Sequence, residues 1–205
     1  GAGARRPALT LTPAGADADT MAMAAGSYLA NQLLIAMPSL ADPNFAQTVT
    51  LVCEHSERGA LGIVLNRPLN MTLGEVFDQL SLPPGAAALR SLPVLRGGPV
   101  QPDRGFVLHR PGERSWDSTL EVSGQLHVTT SRDVLEAMAG GEGPGQVAMA
   151  LGYAGWEAGQ LDEEVRQNAW LTAPCDERLV FDLPFEQRWS AAAKLLGVDL
   201  SRLSH

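Results

Sequence analysis

From residue 48 to residue 55 polar and apolar side chains alternate. Val49, Leu51, Cys53 and His55 fall on one face and Thr50, Val52 and Glu54 on the other, the period-two signature of a strand. Ser56-Glu57-Arg58-Gly59 is turn chemistry, and residues 60–66 read as a second, more buried strand, so the two predict a hairpin that Arg67-Pro68 closes. Thr72 with Glu75 three residues on predicts a capping box opening a short helix through Leu80, ended by Pro83-Pro84-Gly85. Further strands are predicted at 94–95 and 106–109, and a second hairpin at 119–122 and 125–129. Thr130 is placed as the cap of a helix with Val134, Leu135 and Met138 as its buried stripe. Residues 146–151 read as a buried strand that Gly152-Tyr153-Ala154-Gly155-Trp156 turns into a helix at 158–166. Short strands at 170–172 and 179–181 precede a last helix, 185–196, started by Pro184 and ended by Gly197. Strands in runs with helices interspersed favour α+β over strict βαβ alternation.

The 205 residues, 45% hydrophobic and 19% charged, suit one folded domain, and no apolar run approaches the roughly 20 residues that cross a bilayer. The division expected is a flexible Ala/Gly-rich segment at 1–26, with Met21 and Met23 as internal candidate starts, followed by a domain at 27–205. The net charge of −8 is local, because residues 133–182 hold ten acids against Arg166 and Arg178. Affinity for nucleic acid rests on neutralised phosphates, so direct nucleic-acid binding is disfavoured and a protein partner is the better expectation. Cys53 and Cys175 show neither a disulfide framework nor a metal-ligand spacing, and the first residues lack the apolar stretch of a secretory signal. These features point to the cytoplasm and to no membrane insertion.

Four blocks carry a resemblance: Ala30-Asn31-Gln32-Leu33-Leu34-Ile35-Ala36-Met37-Pro38 with Asp42-Pro43-Asn44-Phe45; residues 59–68; Gly97-Gly98-Pro99-Val100; and residues 152–156 with Gly159-Gln160-Leu161. In this order they resemble the bacterial YqgE/AlgH family over about residues 27–198. The resemblance implies one compact α+β domain with a mixed, largely antiparallel sheet flanked by helices, in the bacterial cytoplasm. It implies no chemistry. The AlgH name carries a proposed role in transcriptional control, read here as a regulator acting through protein–protein contacts. The alternative is a small-molecule or anion-binding protein with latent thiol chemistry. Glu157 departs from the family pattern, where a small residue is expected.

The candidate sites follow from residue chemistry. Cys53 and His55 are the pair that a thiol nucleophile and its base would need, but same-face neighbours two apart on a strand lie about 6.5–7 Å from each other. The competing account makes Cys53 a small core residue and His55 a strand-end cap. His55, His109, His127 and His205 are scattered, so neither a metal nor any other cofactor is expected. Gly152, Gly155 and Gly159 could present N–H groups to a phosphate. The acids that crowd the next helix start argue instead for a tight structural turn packed under Trp156, with Gly152 or Gly155 in angles that a β-carbon disfavours. Trp156 is also expected to contribute, with the acidic stretch, to a protein-facing surface. Arg67 and Arg96 at strand ends, with the N–H groups of Gly97 and Gly98, form the candidate anion site if their loops share one sheet edge. No G-x-S-x-G elbow, Walker loop or kinase motif is present.

Overall fold

The alternating segment forms β2 (Val49–Ser56), which turns back into β3 (Gly59–Val64) as the anticipated antiparallel hairpin. The structure, a computed structural model, describes residues 29–203, so the segment 1–26 and its expected flexibility lie outside the described residues. Eight further strands are β1 (Gln32–Ala36), β4 (Pro68–Thr72), β5 (Pro93–Arg96), β6 (Val100–His109), β7 (Thr119–Ser123), β8 (Leu126–Thr129), β9 (Val147–Glu157) and β10 (Trp170–Pro174). They run in the order β10-β1-β2-β3-β9-β6-β8-β7, with β5 on β9 and β4 on β5. Only β5–β9 is parallel among the described pairs. The chain is therefore α+β, on a curled, mixed and largely antiparallel sheet.

Six helices among the described residues flank it: α1 (Leu73–Gln79), α2 (Ala87–Arg90), α3 (Arg132–Ala139), α4 (Gln160–Arg166), α5 (Arg178–Phe181) and α6 (Phe185–Lys194). The capping box of α1 is present, with the Thr72 N–H donating to Glu75 Oε2 at 3.0 Å and the Glu75 N–H to Thr72 Oγ1 at 3.4 Å. The inner face of the sheet buries Leu33, Leu51, Ile63, Phe106 and Leu108 under Leu179, Val180, Ala192 and Ala193 of α5 and α6. Arg188 of α6, almost fully buried, donates to the carbonyls of Leu65 and Leu183 at 2.8 Å each, fastening that cover to the end of β3. Outside, α1 and α3 cover β6 and β9 with Val76, Phe77, Val134 and Leu135. The other outer patch gathers Leu34, Val52, Trp156 and Trp170 around Leu161 of α4.

Two irregularities decide which residues share a face. In β2, Val52 stands opposite Gly62 but Glu54 opposite Leu61, so Cys53 is an extra, bulged residue. Beyond the bulge the alternation reverses. Cys53 packs in the inner core, Glu54 faces across to inner-packed Leu61, and His55 passes to the outer side, opposite Ala60. In β9, Gly152 has φ +80°. Ala148, Ala150 and then Tyr153 pack inward, whereas Met149, Leu151 and then Ala154 and Trp156 pack outward, so the pleat changes parity at Gly152.

The structure corrects three expectations. Residues 152–156 do not turn. They continue β9 to Glu157, and the reversal comes at Gly159, left-handed at φ +77°, just before α4. Residues 179–181 belong to α5 rather than to a strand, since an apolar triplet is too short for periodicity to tell helix from strand. The cap of α3 is Ser131, because Thr130 is drawn into hydrogen bonds with the Ser118 carbonyl and hydroxyl. Among the described residues no helix is long and apolar enough to cross a membrane.

Candidate functional site

The thiol–imidazole pair is taken apart by the β2 bulge. Cys53 is buried among aliphatic side chains, and burial, then Glu54, pushes its thiol far up. His55 lies on the opposite side, its Nε2 3.3 Å from both carboxylate oxygens of Asp162 on α4. It cannot serve Cys53 as a base. Cys175 is half-buried, and burial, with Glu177 and Asp176, pushes its thiol up to about 12. Neither sulfur is a ready nucleophile at neutral pH.

The candidate anion residues do meet at one sheet edge, where the Arg96 N–H donates to the Arg67 carbonyl at 2.7 Å. The Arg67 guanidinium and the Gly97 N–H are engaged within the fold, however, whereas the Arg96 side chain is exposed. The Arg67 guanidinium donates to the carbonyls of Pro43, Asn44 and Ala46 at 2.7–2.9 Å. Burial and the neighbouring Arg96 hold it below the usual arginine value. The Gly97 N–H donates to the Leu151 carbonyl at 2.9 Å, and Gly98 presses on Tyr153 so closely that a β-carbon there would lie 2.1 Å from its carbonyl carbon. Gly152 closes this knot from the other side, where a β-carbon would meet the Gly98 oxygen at 2.5 Å.

Trp156 is not a surface aromatic. It is 6% exposed, its indole N–H donates to Glu164 Oε1 at 3.1 Å, and Trp170 donates to the same oxygen at 3.0 Å. Phe45 stacks on it at 6.1 Å between centroids. Within the acidic stretch Glu163 pairs with Arg166, Asp176 with Arg178 and Glu177 with Arg110. Among the described residues no group of three or more His, Cys, Asp and Glu comes together as a metal site.

What the sequence did not indicate is a cleft of about 390 Å³ at the hairpin end of the inner face. Glu54, Arg58, Val100, Tyr153, Gly155 and Glu157 line it. Both irregularities build it, the β2 bulge by turning Glu54 inward and the parity change at Gly152 by turning Tyr153 inward. Tyr153 stands edge-on to Phe106 at 5.8 Å. Gly155 leaves the space open, since a β-carbon there would come no nearer than 3.4 Å to the Tyr153 ring. Glu54 Oε1 is sealed from solvent with no hydrogen-bond partner, and burial holds its carboxyl above the usual carboxylate range. Larger hollows lie beside Trp189 and Leu200, about 790 Å³, and beside Cys175, about 590 Å³. Neither is lined by a buried side-chain polar atom lacking a partner.

A curled, largely antiparallel sheet covered by helices on both faces defines a single-domain α+β protein. The chain belongs to the AlgH-like family, DUF179, whose model matches residues 33–201. It is 56% identical over 182 residues to a UPF0301 protein of Thioalkalivibrio sulfidiphilus strain HL-EbGR7, covering 89% of this chain and 97% of that one. It is 54% identical over 176 residues to a UPF0301 protein of Xanthomonas campestris pv. campestris strain B100, covering 86% and 93%. The solution structure of the AlgH protein from Pseudomonas aeruginosa is similar at a TM-score of 0.73 and 55% identity, covering 87% of this chain and 94% of that one. A crystal structure of protein DIP2367 from Corynebacterium diphtheriae, 21% identical with a TM-score of 0.68 over 87% and 92%, shares the fold.

Proposed function

We propose that this protein is a cytoplasmic regulator that binds a small molecule in the Glu54 cleft and signals its occupancy through protein contacts. The observation that carries this reading is the sealed carboxyl oxygen of Glu54 at the edge of an open cleft. A carboxyl with one buried acceptor lacking a donor is costly to ionise, and a bound ligand relieves the cost by setting a positive charge or a donor against the part of the carboxyl that lines the cleft. Output through a protein rather than through DNA is supported by the net charge of −8 and by the internal engagement of Arg67. The test is a fragment screen read by amide chemical shifts on the full chain. Ligands are expected that shift Gly59, Tyr153 and Gly155 in the wild type and lose that effect in Gly155→Leu, whose side chain fills the cleft. A screen in which no ligand depends on position 155 overturns the reading.

A further inference from the structure

We propose that the cleft takes a small organic amine, whose ammonium group is held by the Glu54 carboxyl with the Tyr153 ring beside it. This rests on the cleft being a ligand site, and it adds the class of ligand.

Charge chooses the class. Two carboxyl groups, Glu54 and Glu157, line the cleft against one cation, Arg58, which is exposed on the turn between β2 and β3. An anion entering would meet two like charges in a partly desolvated space, whereas an ammonium meets two opposite ones. The polar groups nearest the hairpin offer an anion little. The Ser56 hydroxyl oxygen already accepts the Arg58 N–H at 3.1 Å, and β3 is paired along Gly59–Gly62 to both β2 and β9. Tyr153 contributes a π-surface, to which a cation is attracted.

Glu54 is the group whose state a cation would change most. One of its oxygens is sealed and unpartnered, so the fold by itself stabilises the carboxylate poorly, and burial keeps its pKa high. An ammonium in the cleft supplies the missing counter-charge to the carboxyl as a whole, through a charge-assisted hydrogen bond to the part of it that lines the cleft rather than to the sealed oxygen. The size also fits a small molecule, since about 390 Å³ is roughly a dozen water volumes. Gly155 is what keeps that volume free, on a stretch of β9 whose backbone has no need of glycine.

The experiment compares three probes of one shape: phenethylamine (cationic), 2-phenylethanol (neutral) and phenylacetate (anionic). Each is titrated to millimolar concentration into the full chain, with amide shifts at Glu54, Gly59, Tyr153 and Gly155 as the readout. The expected result is saturable binding of phenethylamine at least about tenfold tighter than either analogue. Glu54→Gln should weaken phenethylamine about tenfold while leaving 2-phenylethanol unchanged, and Gly155→Leu should abolish binding of all three. Melting curves of both variants establish that they are folded. Phenylacetate binding as well as phenethylamine, Glu54→Gln without effect on the amine, or no amine-induced shift at those amides each overturns the amine assignment. If 2-phenylethanol or phenylacetate still binds in a Gly155-dependent way, the cleft remains a ligand site and only its ligand class is wrong. If neither these probes nor a fragment screen shows any dependence on position 155, both readings fall together.

Discussion

Gly152 and Gly155 sit three residues apart on the same strand and do opposite work. At Gly152 the backbone is left-handed, and a β-carbon would strike the oxygen of Gly98 at 2.5 Å, so the missing side chain lets three segments of main chain touch. At Gly155 the backbone is ordinary and the nearest atom is an aromatic edge at 3.4 Å, so the missing side chain leaves room for something else. The comparison teaches that a glycine is read from what its absent β-carbon would meet. One glycine belongs to the fold and the other to the site.

The sharpest way to break that contrast is Gly152→Ala, which should destabilise the protein by about 3 kcal/mol or more through left-handed strain and a backbone clash, measured by denaturant unfolding. A loss under about 1 kcal/mol would mean that the knot is not a fixed feature of the fold. Glu164→Ala comes next. It leaves the indole N–H groups of Trp156 and Trp170, both buried behind the cleft, without their shared acceptor, at a cost of about 2 kcal/mol, and a blue-shifted tryptophan emission with unchanged stability would contradict it.

A third comparison is by pH, and its two halves carry opposite signs. His109, buried between Thr129 and the Arg110 carbonyl, is held below the ordinary histidine value, first by burial and also by His127. The unfolded chain therefore takes up its proton first, and the stability that His109 contributes is full above pH 6.5 and is lost as pH falls from there towards its folded value. Glu54 is held above the ordinary carboxylate value, so the folded state takes its proton first and gains stability as pH falls through that value towards 4.5. Unfolding curves across this range should show His109→Gln losing less stability on acidification than wild type, and Glu54→Gln losing more. The smallest effect belongs to Gly155→Ala, which should change stability by no more than about 0.5 kcal/mol. A larger loss would move Gly155 from the site to the fold.

Much of the fold was legible because its signals are local. The β2–β3 hairpin, the Thr72–Glu75 box and the buried stripe of α3 each depend on residues a few positions apart, where periodicity and capping chemistry apply. The cleft was not legible, because it depends on two places where periodicity breaks. The bulged Cys53 is apolar and sits where alternation expects an apolar residue, so nothing in the sequence marks His55 and Glu54 as having exchanged faces. Residues 152–156 carry two glycines in five, which reads as a turn when the partner is unknown. Only the pairing of β9 with Gly97 and Gly98, some fifty residues earlier, shows that the glycines permit close contact inside a strand. Trp156 was misplaced for a related reason, since its acceptor, Glu164, lies on a helix that folds back over it.

The central place of β9 also has a meaning in time. On the ribosome β3 is finished roughly ninety residues before its partner segment of β9, because Gly62 pairs with Ala154. At about 5–20 residues per second the hairpin waits roughly 5–20 s with one edge of an apolar strand open to other chains. The strand that walls the cleft is thus also the one whose arrival joins the two halves of the sheet. A nascent chain stalled before residue 147 leaves that edge of β3 without its β9 partner, and slowing translation through residues 65–157 is expected to lower the fraction of chains recovered folded.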